Sequence, residues 1–179
     1  MAILKGERVV SDFIAIDFET ANGGRDSACA IGLVKVSGGK IVHEECHLIR
    51  PPSSHFQFTY IHGITWNDVA EASDFGRVWD DIQIHFDEVD FVAAHNASFD
   101  RGVLNACCDT YGLISPALSY LCTVRLARDM WGVRPTKLPD VCNFLGIKLD
   151  HHHADSDARA CAQIVIAAEE DGWHHDQPD

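Results

Sequence analysis

The 179-residue sequence has no run approaching the roughly 20 apolar residues that a membrane-spanning helix needs, so no such helix is expected. It has no C-x-x-C pair. Its seven cysteines, Cys29, Cys46, Cys107, Cys108, Cys122, Cys142 and Cys161, are odd in number, and several sit in apolar periodic stretches. This argues against a disulfide framework and against a cysteine-based zinc site, which uses closely spaced ligand pairs. Free, mostly buried thiols in a reducing compartment are expected. Met1 to Ser11 carries charges and no long apolar run, so it does not read as a secretory signal, and the default location is cytoplasmic. Internal repeats, low-complexity tracts and linkers are also lacking, which predicts one domain over residues 1–179 with a core at about 11–170. Positive charge is scarce: 14 Lys and Arg face 27 Asp and Glu, a net charge of −13. Proteins that grip many phosphates are usually basic, so a broad groove for a long duplex is disfavoured. A short contact with a phosphate survives this objection, because bound divalent cations reverse the local sign.

The patterning predicts strands first. Phe13-Ile14-Ala15-Ile16 is a short apolar run ending in Asp17, as in a strand buried on both faces. Cys29 to Val36 and Ile41 to Ile49 form a hairpin about Ser37-Gly38-Gly39-Lys40, closed by Pro51-Pro52. Helix and strand then alternate. Helical stripes run over Asp74–Phe86, Ser98–Tyr111, Val124–Trp131, Leu138–Leu145 and Asp155–Glu170, with strands at Phe91–Ala94 and Tyr120–Cys122. Three strands followed by β-α-β-α units predict an α/β layer fold with a mixed sheet.

Three acidic motifs fall at the ends of these elements. Asp17-Phe18-Glu19 sets two carboxylates on one face of a strand. Such a pair is costly unless a cation compensates, and hard divalent cations favour oxygen ligands. His95-Asn96-Ala97-Ser98-Phe99-Asp100 follows a strand and puts Asp100 in the first turn of a helix. His152-His153-Ala154-Asp155-Ser156-Asp157 does the same for Asp157, with Asp155 or Ser156 as the helix cap. Singly, each has a bland explanation in strand-end solvation or the helix dipole. Jointly, they lie where an open α/β sheet gathers a site, outside its strand ends.

The pattern D-x-E, H-N-x-x-F-D, H-x-A-x-x-D resembles the DEDDh 3′–5′ exonucleases of the RNase H-like superfamily, from about Phe13 to Ala168. The segment Ile61-His62-Gly63-Ile64-Thr65 is similar to a loop of the bacterial polymerase-proofreading branch that lies near the 3′ nucleotide. The resemblance implies a mixed five-stranded sheet with its second strand antiparallel, flanked by helices. It implies Asp17, Glu19, Asp100 and Asp157 as ligands of two divalent cations, Mg²⁺ or Mn²⁺, and His152 as the base that deprotonates water. Histidine suits that role, with an unperturbed pKa of about 6.5. His152 stands five residues before Asp157. His153 has the four-residue spacing of the tyrosine in the sister DEDDy group, so the choice among His151, His152 and His153 stays open at the level of the residues.

Phe18, Thr20, His62, Ile64 and Asn96 are the implied substrate contacts, with Arg101, Arg125, Arg128, Lys137 and Arg159 as candidates for the phosphate backbone. The expected substrate is a DNA 3′ end, single-stranded or frayed. A 3′–5′ exoribonuclease is the alternative, followed by a non-catalytic nucleic-acid-binding module. No membrane partner is expected. The short stretch after the last helix favours an independent enzyme over a DNA polymerase-associated one.

Overall fold

The structure, a computed structural model, describes residues 10–175. Its strands are β1 (Phe13–Thr20), β2 (Ala28–Ser37), β3 (Lys40–Leu48), β4 (Phe91–Ala94) and β5 (Ser119–Cys122). The helices are α1 (Thr59–His62), α2 (Trp66–Val69), α3 (Phe75–Ile82), α4 (Ala97–Thr110), α5 (Thr123–Trp131), α6 (Leu138–Leu145) and α7 (Ala154–Glu170), with a 3₁₀ turn at Gln83–Phe86. The sheet order is β3-β2-β1-β4-β5. β2 runs antiparallel to β1 and β3, while β4 is parallel to β1 and β5. This is the mixed five-stranded sheet that the sequence predicts.

Alternation along β1 builds two cores. Ile14, Ile16 and Phe18 pack on one face with residues of α3 and α4. Phe13 and Ala15 pack on the other with residues of α5, α6 and α7. Asp17 and Glu19 continue the second series, so their side chains lie on the α7 face.

Two element boundaries differ from expectation in ways that shape the site. β1 does not end at Asp17: its pairing with β2 continues through Asp17↔Gly32 and Glu19↔Ala30 to Thr20. Pairing with β4 covers Phe13 to Ala15. β1 therefore outruns β4, and its backbone beyond Ala15 is open on that side. The second difference is at α7, where the cap position is His153, without a side-chain cap bond, rather than Asp155 or Ser156. The Ser156 hydroxyl instead accepts from the Asp150 N–H (2.8 Å), closing the loop before the helix.

The long helix expected over Asp74–Phe86 is α3 capped by Asp74, then the 3₁₀ turn. The short helices α1 and α2 lack an extended apolar period and escaped the sequence reading. All seven cysteines are free thiols; Cys29, Cys107, Cys108, Cys142 and Cys161 are buried. No helix among the described residues is long and apolar enough to cross a membrane.

Candidate active site

Backbone proximity assembles the acids. Gly32 of β2 faces the start of α7 so closely that a Cβ there would lie 2.0 Å from the Ala154 carbonyl oxygen. Glycine thus lets the first turn of α7 settle on the sheet beside Asp17. Oxygen atoms of Asp17, Glu19 and Asp157 all lie within 4.8 Å of one another. Asp100 arrives from the other side, because α4 starts just past β4, where β1 stands uncovered. Its Oδ1 accepts from the Phe18 N–H (3.1 Å), closing the open edge between the two β1 acids Asp17 and Glu19.

These groups are poorly hydrated: Asp100 is 1% exposed, Asp157 3% and Glu19 9%. Burial, followed by the charges of Asp100, Asp157 and Glu19, pushes the Asp17 carboxyl well above its ordinary range. Burial and then Asp157 and Asp100 push Glu19 up to about 8. Burial raises Asp100 to about 7 against the opposing Phe18 N–H bond and the Arg25 charge. Burial also raises Asp157, although His151 and the His152 N–H pull it down. Asp157 Oδ1 is buried with no hydrogen-bond partner among the described residues. Like charges forced together, with a bare oxygen among them, form an all-oxygen donor set that fits divalent cations.

The histidine run folds back onto Asp157. His151 Nδ1 donates to Asp157 Oδ2 (2.9 Å), and the His152 backbone N–H donates to the same oxygen (3.2 Å). His152 reaches this position in the left-handed region, at φ 69°. For a residue with a Cβ that conformation costs about 1–2 kcal/mol. The His151 and His152 rings stack with centroids 3.8 Å apart. Burial, then the neighbouring His151, lowers the His152 pKa against the attraction of Asp157. His153 points elsewhere, 3.9 Å from Asp150.

Two clefts meet here. One, of 380 Å³, is lined by the acids Asp17, Glu19 and Asp157 together with His95, Asn96, Lys137, His151 and His152. The other, of 430 Å³, is lined by Leu48, His62, Ile64, His153 and Asp155. Glu19 and His152 belong to both.

The expected substrate contacts are distributed unevenly. Asn96 borders the first cleft, exposed and left-handed at φ 70°. Ile64 and His62 border the second. Phe18 borders the first cleft, but its ring is buried in the core 6.5 Å from that of Phe75. Thr20 is buried, and its carbonyl accepts from His62 Nε2 (3.2 Å). His62 Nδ1 in turn accepts from the Ile64 N–H (3.1 Å), so His62 fastens the Ile64 loop to the end of β1. Among the basic candidates, Lys137 lines the acid cleft. Arg128 donates to Thr136, Arg159 pairs with Glu44, and Arg101 stands over the Tyr120 ring.

His95 had no role in the sequence reading beyond opening its motif. Its Nε2 donates to the Thr136 carbonyl (3.1 Å), and its Nδ1 accepts from the Thr123 hydroxyl (2.9 Å). Burial lowers its pKa to about 4, so it stays neutral and ties β4 to α5 and the α5–α6 loop. Its place directly after β4 is the signal that could have found it.

Comparison with known proteins gives the family. A family model described as Exonuclease matches residues 14–165. The chain is 31% identical to DNA polymerase III PolC-type of Thermotoga maritima over 158 residues, covering 86% of this chain and 12% of that polymerase. It is 34% identical to Exodeoxyribonuclease 10 of Escherichia coli K12, covering 90% of this chain and 71% of that protein. A solved structure of Exonuclease X in complex with 5′ overhanging duplex DNA superposes with a TM-score of 0.73 at 29% identity, covering 92% of this chain and 96% of that one. The chain belongs to the DEDDh 3′–5′ exonuclease family.

Proposed function

We propose that this exonuclease hydrolyses phosphodiester bonds from the 3′ end of DNA, single-stranded or frayed, and releases nucleoside 5′-monophosphates. The observation that carries the reading is the convergence of Asp17, Glu19 and Asp157 within 4.8 Å, with Asp100 bonded to the backbone between the two β1 acids. Asp17, Glu19, Asp100 and Asp157 would hold two divalent cations, Mg²⁺ or Mn²⁺, as the all-oxygen donor set favours. When bound, the cations would stabilise charge on the phosphate and make the attacking water more acidic.

The remaining work falls to the chain. His152, whose pKa burial and its histidine neighbour lower, takes the proton from the attacking water. His151 holds Asp157 through Oδ2 and leaves Oδ1 for the cluster. The meeting of the two clefts at Glu19 and His152 suits a scissile phosphate with a nucleoside on each side. Ile64 and Leu48 offer an apolar wall to the terminal base. Asn96 and Lys137 face the sugar-phosphate chain, and Thr20 and Phe18 contribute backbone. Residues 1–179 act as one exonuclease domain.

The choice of DNA is supported by the similarity to Exodeoxyribonuclease 10 and to a relative solved with duplex DNA. The similarity to PolC-type polymerases makes a DNA polymerase the partner to test by co-purification. Matched single-stranded DNA and RNA oligonucleotides, incubated with Mg²⁺, Mn²⁺ or EDTA, test the substrate. DNA shortened faster than RNA, with no cleavage in EDTA, is the expected outcome. Faster loss of RNA would make the enzyme an exoribonuclease.

A further inference from the structure

A second group of ligating side chains lies on the other face of the sheet. β3 carries His43, Glu45 and His47 at alternate positions, opposite Lys35, Leu33 and Ile31 of β2. Cross-strand partners share a face. Leu33 and Ile31 belong to the core that packs with α3 and α4, so the three β3 side chains point to that side, away from α7. The 3₁₀ turn after α3 brings His85 over them, and Lys35 Nζ donates to the Asp87 carbonyl (3.1 Å) beside it.

Glu45 Oε1 lies 3.3 Å from His43 Nε2 and 3.1 Å from His85 Nε2. Oε1 and His43 Nε2 are both shielded from solvent, and neither makes a hydrogen bond among the described residues. Groups this close should be aligned for hydrogen bonding if they satisfied one another. The contacts are at ion-pair distance without that alignment, and the same spacing matches coordination. Ligands about 2.0–2.1 Å from a tetrahedral ion stand about 3.3 Å apart. The His43 and His85 rings lie nearly parallel with centroids 4.2 Å apart, and the three ligand atoms fit within 4.8 Å of one another. His47 Nε2 bonds the other carboxylate oxygen (2.8 Å), which fixes the orientation of Glu45. Outer partners of this kind commonly orient metal-bound groups.

We propose that His43, Glu45 and His85 bind a divalent transition-metal ion of the Zn²⁺ class, with His47 positioning Glu45. Two imidazoles and one carboxylate select Zn²⁺ over Mg²⁺. The ion clips edge strand β3 to the connection between α3 and β4. The site is separate from the acid cluster in ligand type and in sheet face, so it stands whether or not the exonuclease reading holds.

The test is zinc content after equilibrium dialysis of the full chain with excess Mg²⁺ present. The Asp17→Asn/Asp157→Asn background keeps zinc from the acid cluster. About one equivalent of zinc is expected to remain bound, with at least about tenfold weaker binding in Glu45→Gln and loss in His43→Ala and His85→Ala. Far-UV circular dichroism checks that the variants fold. Co²⁺ added to the unsubstituted chain with excess Mg²⁺ is expected to give the strong visible bands of a four-coordinate ion. Zinc content unchanged in the histidine variants, no zinc in the background chain, or weak six-coordinate cobalt bands alone would overturn the site.

Discussion

The two polar clusters on opposite faces of the sheet solve the problem of crowded charge in opposite ways. The α7 face gathers carboxylates that repel one another, and burial holds protons on them. The edge cluster surrounds one carboxylate with imidazoles. There burial, which would raise the Glu45 pKa, is outweighed by the bond and charge of His47, the contact with His43 and the charge of His85, and the pKa is lowered. Burial and the facing His43 also lower His85. The first cluster is frustrated until cations arrive; the second is partly satisfied by its own residues. Carboxylate-dominated against nitrogen-rich donors, and repulsion against attraction, separate the proposed catalytic site from the proposed structural clip.

The largest effect that would break this contrast is loss of an acid. Asp17→Asn should lower Mg²⁺-dependent hydrolysis by about a thousandfold or more, the scale for removing a principal electrostatic stabiliser. Steady-state digestion of a labelled oligonucleotide measures it. His152→Ala should cost at least about a hundredfold in kcat. His151→Ala should cost less, because that ring acts through Asp157. A larger loss in His151→Ala would transfer the base to that ring.

Gly32→Ala probes how the acid cluster is held together. The new Cβ would collide with the Ala154 carbonyl and push α7 outward. Chemical denaturation should report about 1–3 kcal/mol of lost stability, with activity falling because Asp157 moves with the helix. An unchanged midpoint and rate would show that the helix can shift without harm.

The two clusters should also respond to pH with opposite sign. In EDTA, Glu19 at about 8 and Asp100 at about 7 keep protons that the unfolded chain releases. Their contribution to stability is present at low pH and is lost as pH rises from about 4 through about 8. For Glu45 and His85 the folded pKa is depressed, so their contribution is lost as pH falls. Melting temperatures in EDTA should therefore decline towards pH 8, less steeply in Asp17→Asn or with Mg²⁺ added. An identical decline in the variant would contradict the repulsion account. The smallest effect is expected from His85→Ala, which should leave the hydrolysis rate within about twofold because His85 lies on the face away from the acids.

Much of this was legible in the sequence because it rests on local periodicity. Alternation along Phe13–Glu19 and the 3.6-residue stripes of α4 to α7 specify which faces are buried, while the place of β4 beside β1 rather than beside β3 is set by the tertiary fold. The convergence of the acids depends on features with no local signature. One is that β1 outlasts β4 while its pairing with β2 continues. Another is the bare glycine at position 32 that admits α7. The left-handed turn at His152, which sets His151 against Asp157, is likewise fixed by the tertiary fold. The edge cluster was half visible as His43-x-Glu45-x-His47, one face of a strand. Its fourth member, His85, comes from a different element, and no spacing rule links them.

The central claim is that the acid cluster removes nucleotides from a 3′ end with divalent cations. Digestion of 5′-labelled and 3′-labelled single-stranded DNA with Mg²⁺ tests it most directly. The account predicts a ladder of progressively shorter 5′-labelled products, immediate release of the 3′ label as mononucleotide, and neither in EDTA or with Asp17→Asn. Full-length substrate persisting with Mg²⁺ and with Mn²⁺, or shortening from the 5′ end, would contradict it.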